Sequence, residues 1–200
     1  RPPRPVRLRV VLLGCGVVGK GVLDLLLAQP ELFQVGPVLV QNAGRHSENV
    51  VFTENLDEAL AGNPDVLVEV MGGSHLAAEA MHSALLRGAQ VVTANKAALA
   101  RHWDSLHACA ARSGGELRFT AAVGGGAPIV ETLRRLGGRV VSAEGVLNGT
   151  CNFLLSRLGE GWSLDEAVSR AQELGFAEAN ASADVDGHDA PDKLSFLIRE

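Results

Sequence analysis

Apolar and polar residues alternate along the first two thirds of the chain in a way that predicts strands and helices in turn. Leu8–Leu13 is a nearly continuous apolar run, as expected of a parallel strand that is covered on both faces. Apolar residues between Val18 and Leu26 then follow helical spacing, and Pro30 closes this helix.

The alternation continues as far as residue 123. The further predicted strands are residues 38–40, 66–71, 91–94 and 117–123, and the further predicted helices are residues 56–60, 76–86 and 97–111. Strands and helices in regular succession predict an α/β fold, a doubly wound parallel sheet.

The pattern changes after Ala127, where we place a domain boundary between residues 1–127 and 128–200. Pro128 suits the first turn of a helix that runs to residue 136, and residues 139–147 have the pattern of a strand. Ser163 and Glu166 form a capping box for a helix that runs to residue 174.

Composition narrows the classes of function. The net charge of −5 argues against broad nucleic-acid binding, and no apolar run approaches the length of a membrane-spanning helix. The basic start of the chain is not followed by the apolar segment of a signal peptide, so we expect a cytoplasmic protein. The cysteines Cys15, Cys109 and Cys151 suggest neither disulfides nor a zinc site. Small buried residues are the simpler interpretation, and for Cys15 and Cys151 nucleophilic catalysis is the alternative.

A glycine motif follows the first predicted strand and opens the first helix. Gly14, Gly16 and Gly19, with Val17 and Val18 between the last two, form G-x-G-x-x-G. The first glycine allows the tight turn, the second lets the backbone approach a pyrophosphate, and the third allows close packing of helix on strand. The motif in this setting predicts a Rossmann domain that binds NAD or NADP.

The residues after the second strand bear on the choice of cofactor. Gln41 and Asn42 stand where an acidic residue would hold a ribose 2′-hydroxyl, and Arg45 is close enough to pair with a 2′-phosphate. This pattern favours NADP, and the alternative is that Arg45 is a solvated loop residue.

Polar residues and glycines also end two later strands. Gly72 follows the strand at residues 66–71, and Thr93 and Lys96 come at the end of the next strand. Since ligands bind at the carboxyl ends of strands in open α/β sheets, Gly72, Thr93 and Lys96 are candidate cofactor contacts.

Acidic residues and a lysine cluster between residues 175 and 193. Asp189 and Lys193 are four residues apart on one side of a predicted helix, which by itself is most simply a surface ion pair. Asp184 and Asp186 lack the rest of a calcium loop and are interpreted as turn residues.

Taken together, the segments 14–19, 93–96, 123–129, 145–153 and 178–193 resemble homoserine dehydrogenase, in that family's order and over nearly the whole chain. The last two segments are the specific ones, because generic Rossmann enzymes do not carry both. The resemblance implies reversible reduction of L-aspartate 4-semialdehyde to L-homoserine by NAD(P)H, a step of threonine and methionine biosynthesis.

The resemblance also implies roles for individual residues. Glu178 and Asp189 match substrate-binding acids, and Lys193 matches the catalytic proton donor or acceptor. Lys96 matches a second catalytic lysine, which contacts cofactor or substrate at the reacting end. Gly175 matches a backbone contact to the nicotinamide half of the cofactor. A reduced aldehyde becomes an alkoxide, which a lysine of lowered pKa can protonate.

A monovalent cation, Na⁺ or K⁺, is a further implication. The carbonyls of Val123, Gly125 and Ala127 match its ligands, but Thr120 stands where a glutamate is expected. Residues 128–200 match only the start of an α+β substrate and dimerisation domain. We therefore expect a longer natural protein that forms a homodimer. The alternatives are a non-catalytic dinucleotide-binding module or inactive fragment, and a semialdehyde or sugar oxidoreductase of another family.

Overall fold

A computed structural model describes residues 7–46, 49–177 and 189–200, with Asp189 described by its backbone alone. Glu178, Asp184 and Asp186 lie outside the described residues. The chain divides into two compact units, Arg1–Ala122 and Val123–Glu200. No helix within the described ranges is long and apolar enough to cross a membrane.

The first unit is built on a parallel sheet of six strands in the order β3-β2-β1-β4-β5-β6. The strands are β1 (Leu8–Leu13), β2 (Phe33–Leu39), β3 (Phe52–Thr53), β4 (Val66–Glu69), β5 (Gln90–Thr93) and β6 (Glu116–Arg118). Four helices connect them: α1 (Val17–Leu27), α2 (Leu56–Leu60), α3 (His75–Leu86) and α4 (Lys96–Ser113). The strand order reverses between β1 and β4, so the predicted doubly wound sheet is confirmed.

The core explains why residues 10–13 of β1 are all apolar. Residues 10–13 of this central strand are at most 1% exposed, because both faces of the sheet are covered. On one face, Leu12 packs with Leu23 of α1 and Val38 of β2. This packing fixes the start of α1 beside the carboxyl end of β1.

In the first two thirds of the chain, two predicted strands have other bounds in the structure and one strand was not predicted. Residues 120–123, predicted as the end of a strand, form the short helix α5 (Thr120–Val123). A short apolar run fits a buried helix as well as a strand, and the bond from Ala122 N to Phe119 O closes a turn here. Strand β2 begins at Phe33, earlier than predicted, and the two-residue β3 is too short to leave a periodic signal.

The described part of the second unit contains the helices α6 (Ile129–Leu136), α7 (Gly149–Gly159), α8 (Leu164–Glu173) and α9 (Asp189–Arg199). Leu154 of α7 packs against Ala167 and Ala171 of α8, and this cluster is the core between the two helices. The predicted capping box is confirmed: the Ser163 side chain accepts from the Glu166 N–H, and the Glu166 carboxylate accepts from the Ser163 N–H.

The strand predicted at residues 139–147 is wrong. Residues 137–139 form a 3-10 turn, and the chain is then irregular up to the start of α7. Val141 is 99% exposed. A strand needs a hydrogen-bonding partner, and within residues 123–177 and 189–200 no other strand is present to pair with it.

Candidate active site

The glycine turn after β1 is so close-packed that two of its glycines cannot be replaced without strain. Gly14 has a φ of 95°, and a Cβ there would approach the Val70 carbonyl oxygen to 2.8 Å. A Cβ on Gly19 would lie 2.1 Å from the Gly14 carbonyl oxygen. Because neither glycine has a side chain, α1 and the segment after β4 can pack closely against the turn, as the motif predicts.

Gly16 differs from these two glycines because it faces open space. A Cβ at Gly16 would meet no atom within 4 Å. Gly16 is also the N-cap of α1, where no side chain caps the helix and no acidic residue lies in the first turn. The first turn, with Val17 and Val18 exposed, therefore has the free N–H groups and the positive end of a helix that a pyrophosphate requires.

A cavity of about 600 Å³ opens at this turn. It lies between the turn after β1, the segment after β2 and the segment after β4. Its lining includes Gly14, Cys15, Gly16, Gln41, Asn42, Arg45, Glu54, Met71 and Gly72. The fold thus brings together four predicted cofactor-binding residues: Gly14, Gly16, Arg45 and Gly72. Space, glycine backbone and an uncapped helix start fit a dinucleotide.

Glu54 is a member of the cavity lining that the sequence analysis missed. It follows β3, and its carboxylate accepts a hydrogen bond of 2.9 Å from the Ala43 N–H, just beyond β2. A sequence signal that could have revealed β3 is the Thr-x-Asn pattern from Thr53 to Asn55, in which the threonine ends a strand and the asparagine caps a helix. Thr93 to Asn95 repeats it.

The ends of β4 and β5 are joined by a buried carboxyl group that the sequence analysis also missed. Glu69 is fully buried and accepts from the Thr93 hydroxyl at 2.6 Å and the Met71 N–H at 2.8 Å. The side-chain amide of Asn95 donates to it at 3.3 Å. Burial raises the pKa of Glu69 above its ordinary value, and these three hydrogen bonds partly oppose the rise.

The same network places two predicted residues of β5 and α4. Thr93 is fully buried, and besides donating to Glu69 its hydroxyl accepts from the Asn95 N–H at 3.0 Å. The Asn95 side chain caps α4 by accepting from the Ala98 N–H at 2.9 Å. Lys96 is the first residue of α4 and is half-buried. Direct contacts of Thr93 and Lys96 with a cofactor stay predictions.

In the second unit, three segments meet around the predicted catalytic lysine. The Lys193 ammonium on α9 donates to the Leu147 carbonyl at 2.8 Å. Asn148 caps α7 through the Cys151 N–H at 2.8 Å. The hydroxyl of Thr150 donates to the Phe176 carbonyl at 2.6 Å, which ties α7 to the segment after α8. The fold therefore gathers residues 147–151, residues 175–176 and Lys193, which are far apart in sequence.

The remaining predicted substrate and nicotinamide residues belong to the same unit. Gly175 follows α8 with a φ of 76° and is exposed. Asp189 begins α9, one helical turn before Lys193, while Glu178 lies outside the described residues. Their roles stay predictions.

The proposed cation loop is partly engaged in its own backbone bonds. Ala127 donates its N–H to Gly124 O at 3.0 Å, and its carbonyl accepts from the Ile129 N–H at 2.8 Å. Val123 is buried at the end of α5, and Gly125 has a φ of 58°. In the part of the chain that the structure describes, no group of three or more His, Cys, Asp or Glu side chains is arranged to hold a metal ion.

The parallel sheet, the glycine turn and the cavity beside it define a dinucleotide-binding protein of the Rossmann class. The family model for the homoserine dehydrogenase NAD binding domain matches residues 14–120, and the model for homoserine dehydrogenase itself matches residues 128–200. The chain therefore belongs to the homoserine dehydrogenase family.

Similar proteins agree with this assignment. Homoserine dehydrogenase of Synechocystis is 41% identical over 94% of this chain and 47% of its own length. The crystal structure of a homoserine dehydrogenase from Thiobacillus denitrificans has a TM-score of 0.80 and 33% identity, over 96% of this chain and 48% of its own. For a putative homoserine dehydrogenase from Archaeoglobus fulgidus the TM-score is 0.83 and the identity 30%, over 96% and 68% of the two chains. The chain spans about half the length of the curated relatives it matches.

Proposed function

We propose that this chain carries cofactor-binding and substrate-binding residues of an NAD(P)-dependent homoserine dehydrogenase, which interconverts L-aspartate 4-semialdehyde and L-homoserine in threonine and methionine biosynthesis. The observation that carries the proposal is the cavity at the uncapped start of α1, in a chain whose second unit anchors Lys193 beside the start of α7. The position of this lysine favours an enzyme over a non-catalytic dinucleotide-binding module.

The first unit holds the cofactor in this proposal. The N–H groups at the start of α1 bind the pyrophosphate, Gly16 lets it approach the backbone, and Gly72 contributes a further backbone contact. The bound nicotinamide supplies or accepts the hydride. Thr93 and Lys96 act from the end of β5 and the start of α4.

The second unit serves the substrate. A lysine ammonium has three donors, and the bond to the Leu147 carbonyl uses one and fixes where the amine lies. Lys193 then exchanges a proton with the substrate oxygen. Glu178 and Asp189 hold the substrate's ammonium and hydroxyl, and Gly175 meets the nicotinamide half of the cofactor.

Further expectations belong to the same proposal. Residues 1–127 form the dinucleotide-binding domain and residues 128–200 begin the substrate domain. Na⁺ or K⁺ is held by the carbonyls of Val123, Gly125 and Ala127, the natural protein is a homodimer, and it is cytoplasmic. These expectations rest on the family resemblance and on the composition of the chain.

The test is homoserine-dependent reduction of NADP⁺ and NAD⁺ by the full-length protein and its Lys193→Ala variant. We expect the substitution to reduce kcat by about 100-fold or more, as for loss of a general acid or base, while cofactor affinity is retained. Arg199→Ala is the matched control, since it removes a cation from an exposed position on the same helix. A parent protein that binds cofactor but never oxidises homoserine would refute the proposal.

A further inference from the structure

The carboxyl group of Glu69 is the centre of a hydrogen-bonded network at the carboxyl end of the sheet. One oxygen accepts from the Met71 N–H and the Asn95 amide, and the other accepts from the Thr93 hydroxyl. A single side chain thereby joins the residue that ends β5, the cap of α4 and the segment that follows β4.

The network continues into the wall of the cavity. The Asn95 amide also donates to the Gly73 carbonyl at 2.6 Å and to the Met71 carbonyl at 3.3 Å. Both Glu69 and Asn95 therefore form hydrogen bonds to the segment 71–73. Met71 and Gly72 of this segment line the cavity. Glu69 itself has no exposed surface, so its influence on a ligand passes through this backbone.

The position of this segment indicates which part of a dinucleotide it meets. A dinucleotide lies across the point where the strand order reverses, which is between β1 and β4. The adenosine half belongs over the end of β2, where Arg45 and Glu54 lie. The other half then extends toward the ends of β4 and β5, which the Glu69 network holds.

We propose that Glu69 is a positioning residue of the cofactor site, which fixes residues 71–73 and Asn95 so that their backbone receives the nicotinamide half. The proposal rests on the proposed function in that the ligand is NAD or NADP. Glu69 contacts neither cofactor nor substrate.

The donors around Glu69 match an ionised carboxyl group. Two N–H groups point at one oxygen, and the Thr93 hydroxyl, which accepts from the Asn95 N–H, donates to the other oxygen. A carboxylate accepts all of these bonds and needs no donor of its own. Keeping a charge here costs folding free energy, since burial is the largest influence on the group.

The experiment compares Glu69→Gln with the parent in the full-length protein. Glutamine keeps the shape and one acceptor oxygen but removes the charge. Calorimetric titration with NADP⁺ and NAD⁺ should show a dissociation constant raised about tenfold or more, the effect of losing a charge-assisted network. The KM for the cofactor should rise more than the KM for homoserine, and the thermal midpoint should not fall.

Glu58→Gln is the matched control. Glu58 likewise accepts from a strand-end threonine, Thr53 at 2.5 Å, but it is exposed and does not join residues 71–73. The cofactor affinity of Glu58→Gln should equal that of the parent. A further variant tests the network without touching the carboxyl group: Asn95→Asp keeps the oxygen that caps α4 but removes the amide that donates to Glu69 and Gly73, and it should weaken cofactor binding.

Two results would overturn the proposal: parental cofactor affinity in Glu69→Gln, or an affinity loss accompanied by a matching drop in thermal midpoint, which would mark a purely structural role. A parent that binds NAD(P) without oxidising homoserine refutes the proposed function, yet the dissociation constants still decide the role of Glu69. A parent that binds neither cofactor refutes both.

Discussion

At the scale of single residues, we expect the choice between NAD and NADP to depend on two side chains of opposite charge in one cavity, Arg45 and Glu54. The sequence shows Arg45 and no acid at the end of β2, which favours NADP. The fold adds Glu54 from the end of β3 to the same lining. Arg45 attracts a 2′-phosphate and Glu54 repels it, whereas a ribose hydroxyl can donate to the Glu54 carboxylate.

Removing the charge of Glu54 and removing the charge of Arg45 should therefore shift the ratio of the NADP⁺ and NAD⁺ affinities in opposite directions. Glu54→Gln keeps an oxygen for the Ala43 N–H and should tighten NADP⁺ binding relative to NAD⁺. Arg45→Ala should weaken NADP⁺ binding by about threefold to tenfold, because an exposed charge is partly screened. Titration of both cofactors against both variants measures the ratio. An unchanged ratio in both variants would place the 2′ position away from these residues.

Glu69 should also make stability depend on pH with a definite sign. Its pKa is raised in the folded protein, mainly by burial. Below its ordinary pKa of 4.5 the group is protonated in both the folded and the unfolded state, so folding does not bury a charge. As the pH rises through the folded pKa, the folded protein must carry a buried charge and loses stability. The thermal midpoint of Glu69→Gln relative to the parent should therefore increase from about pH 4 to about pH 7. A difference that is constant over this range would mean that the two pKa values coincide.

At the scale of elements, the β1–turn–α1 motif contains one glycine that serves binding, Gly16, and one that serves folding, Gly19. Gly16 has extended backbone angles and open space, so Gly16→Ala should fold with a thermal midpoint close to that of the parent. Its methyl group lies where a pyrophosphate approaches, and we expect cofactor affinity to fall about tenfold or more.

Gly19→Ala should behave in the opposite way, because its methyl group collides with the backbone of the turn. We expect a loss of about 1–3 kcal/mol in the free energy of unfolding, as for other overpacked sites. Thermal melts and cofactor titrations of the two variants make the comparison. If Gly16→Ala binds cofactor as the parent does, the pyrophosphate does not lie at the start of α1.

The elements predicted correctly are those whose signal is local. Helix α2 agrees residue for residue, and the Ser163 capping box agrees because its hydrogen bonds span only three residues. Residues 139–147 could not be predicted, since an alternating pattern becomes a strand only when a partner is present. The same distinction holds for the candidate site. The glycine turn can be predicted because the residues that form it are contiguous in sequence, whereas Glu54 and Glu69 join strands that are distant in sequence.

At the scale of the whole molecule, all the lining residues of the cavity belong to the first unit. The sheet, the glycine turn and the Glu69 network belong to it as well. Most of the cofactor affinity should therefore come from this unit, with one proposed contact from Gly175 of the second unit, while catalysis should also need Lys193 of the second unit.

Residues 1–127, expressed by themselves, test this division together with the proposed domain boundary. A domain with its own core can fold alone, and its cofactor affinity should lie within about threefold of that of residues 1–200. Saturating cofactor should raise its thermal midpoint, by about 2.7 kcal/mol of added stability at 100 times the dissociation constant. Homoserine, in contrast, should leave the midpoint unchanged, since the residues proposed to bind it lie beyond residue 127. A folded fragment that failed to bind cofactor would show that residues after 127 contribute to the cofactor site, and the boundary would have to move.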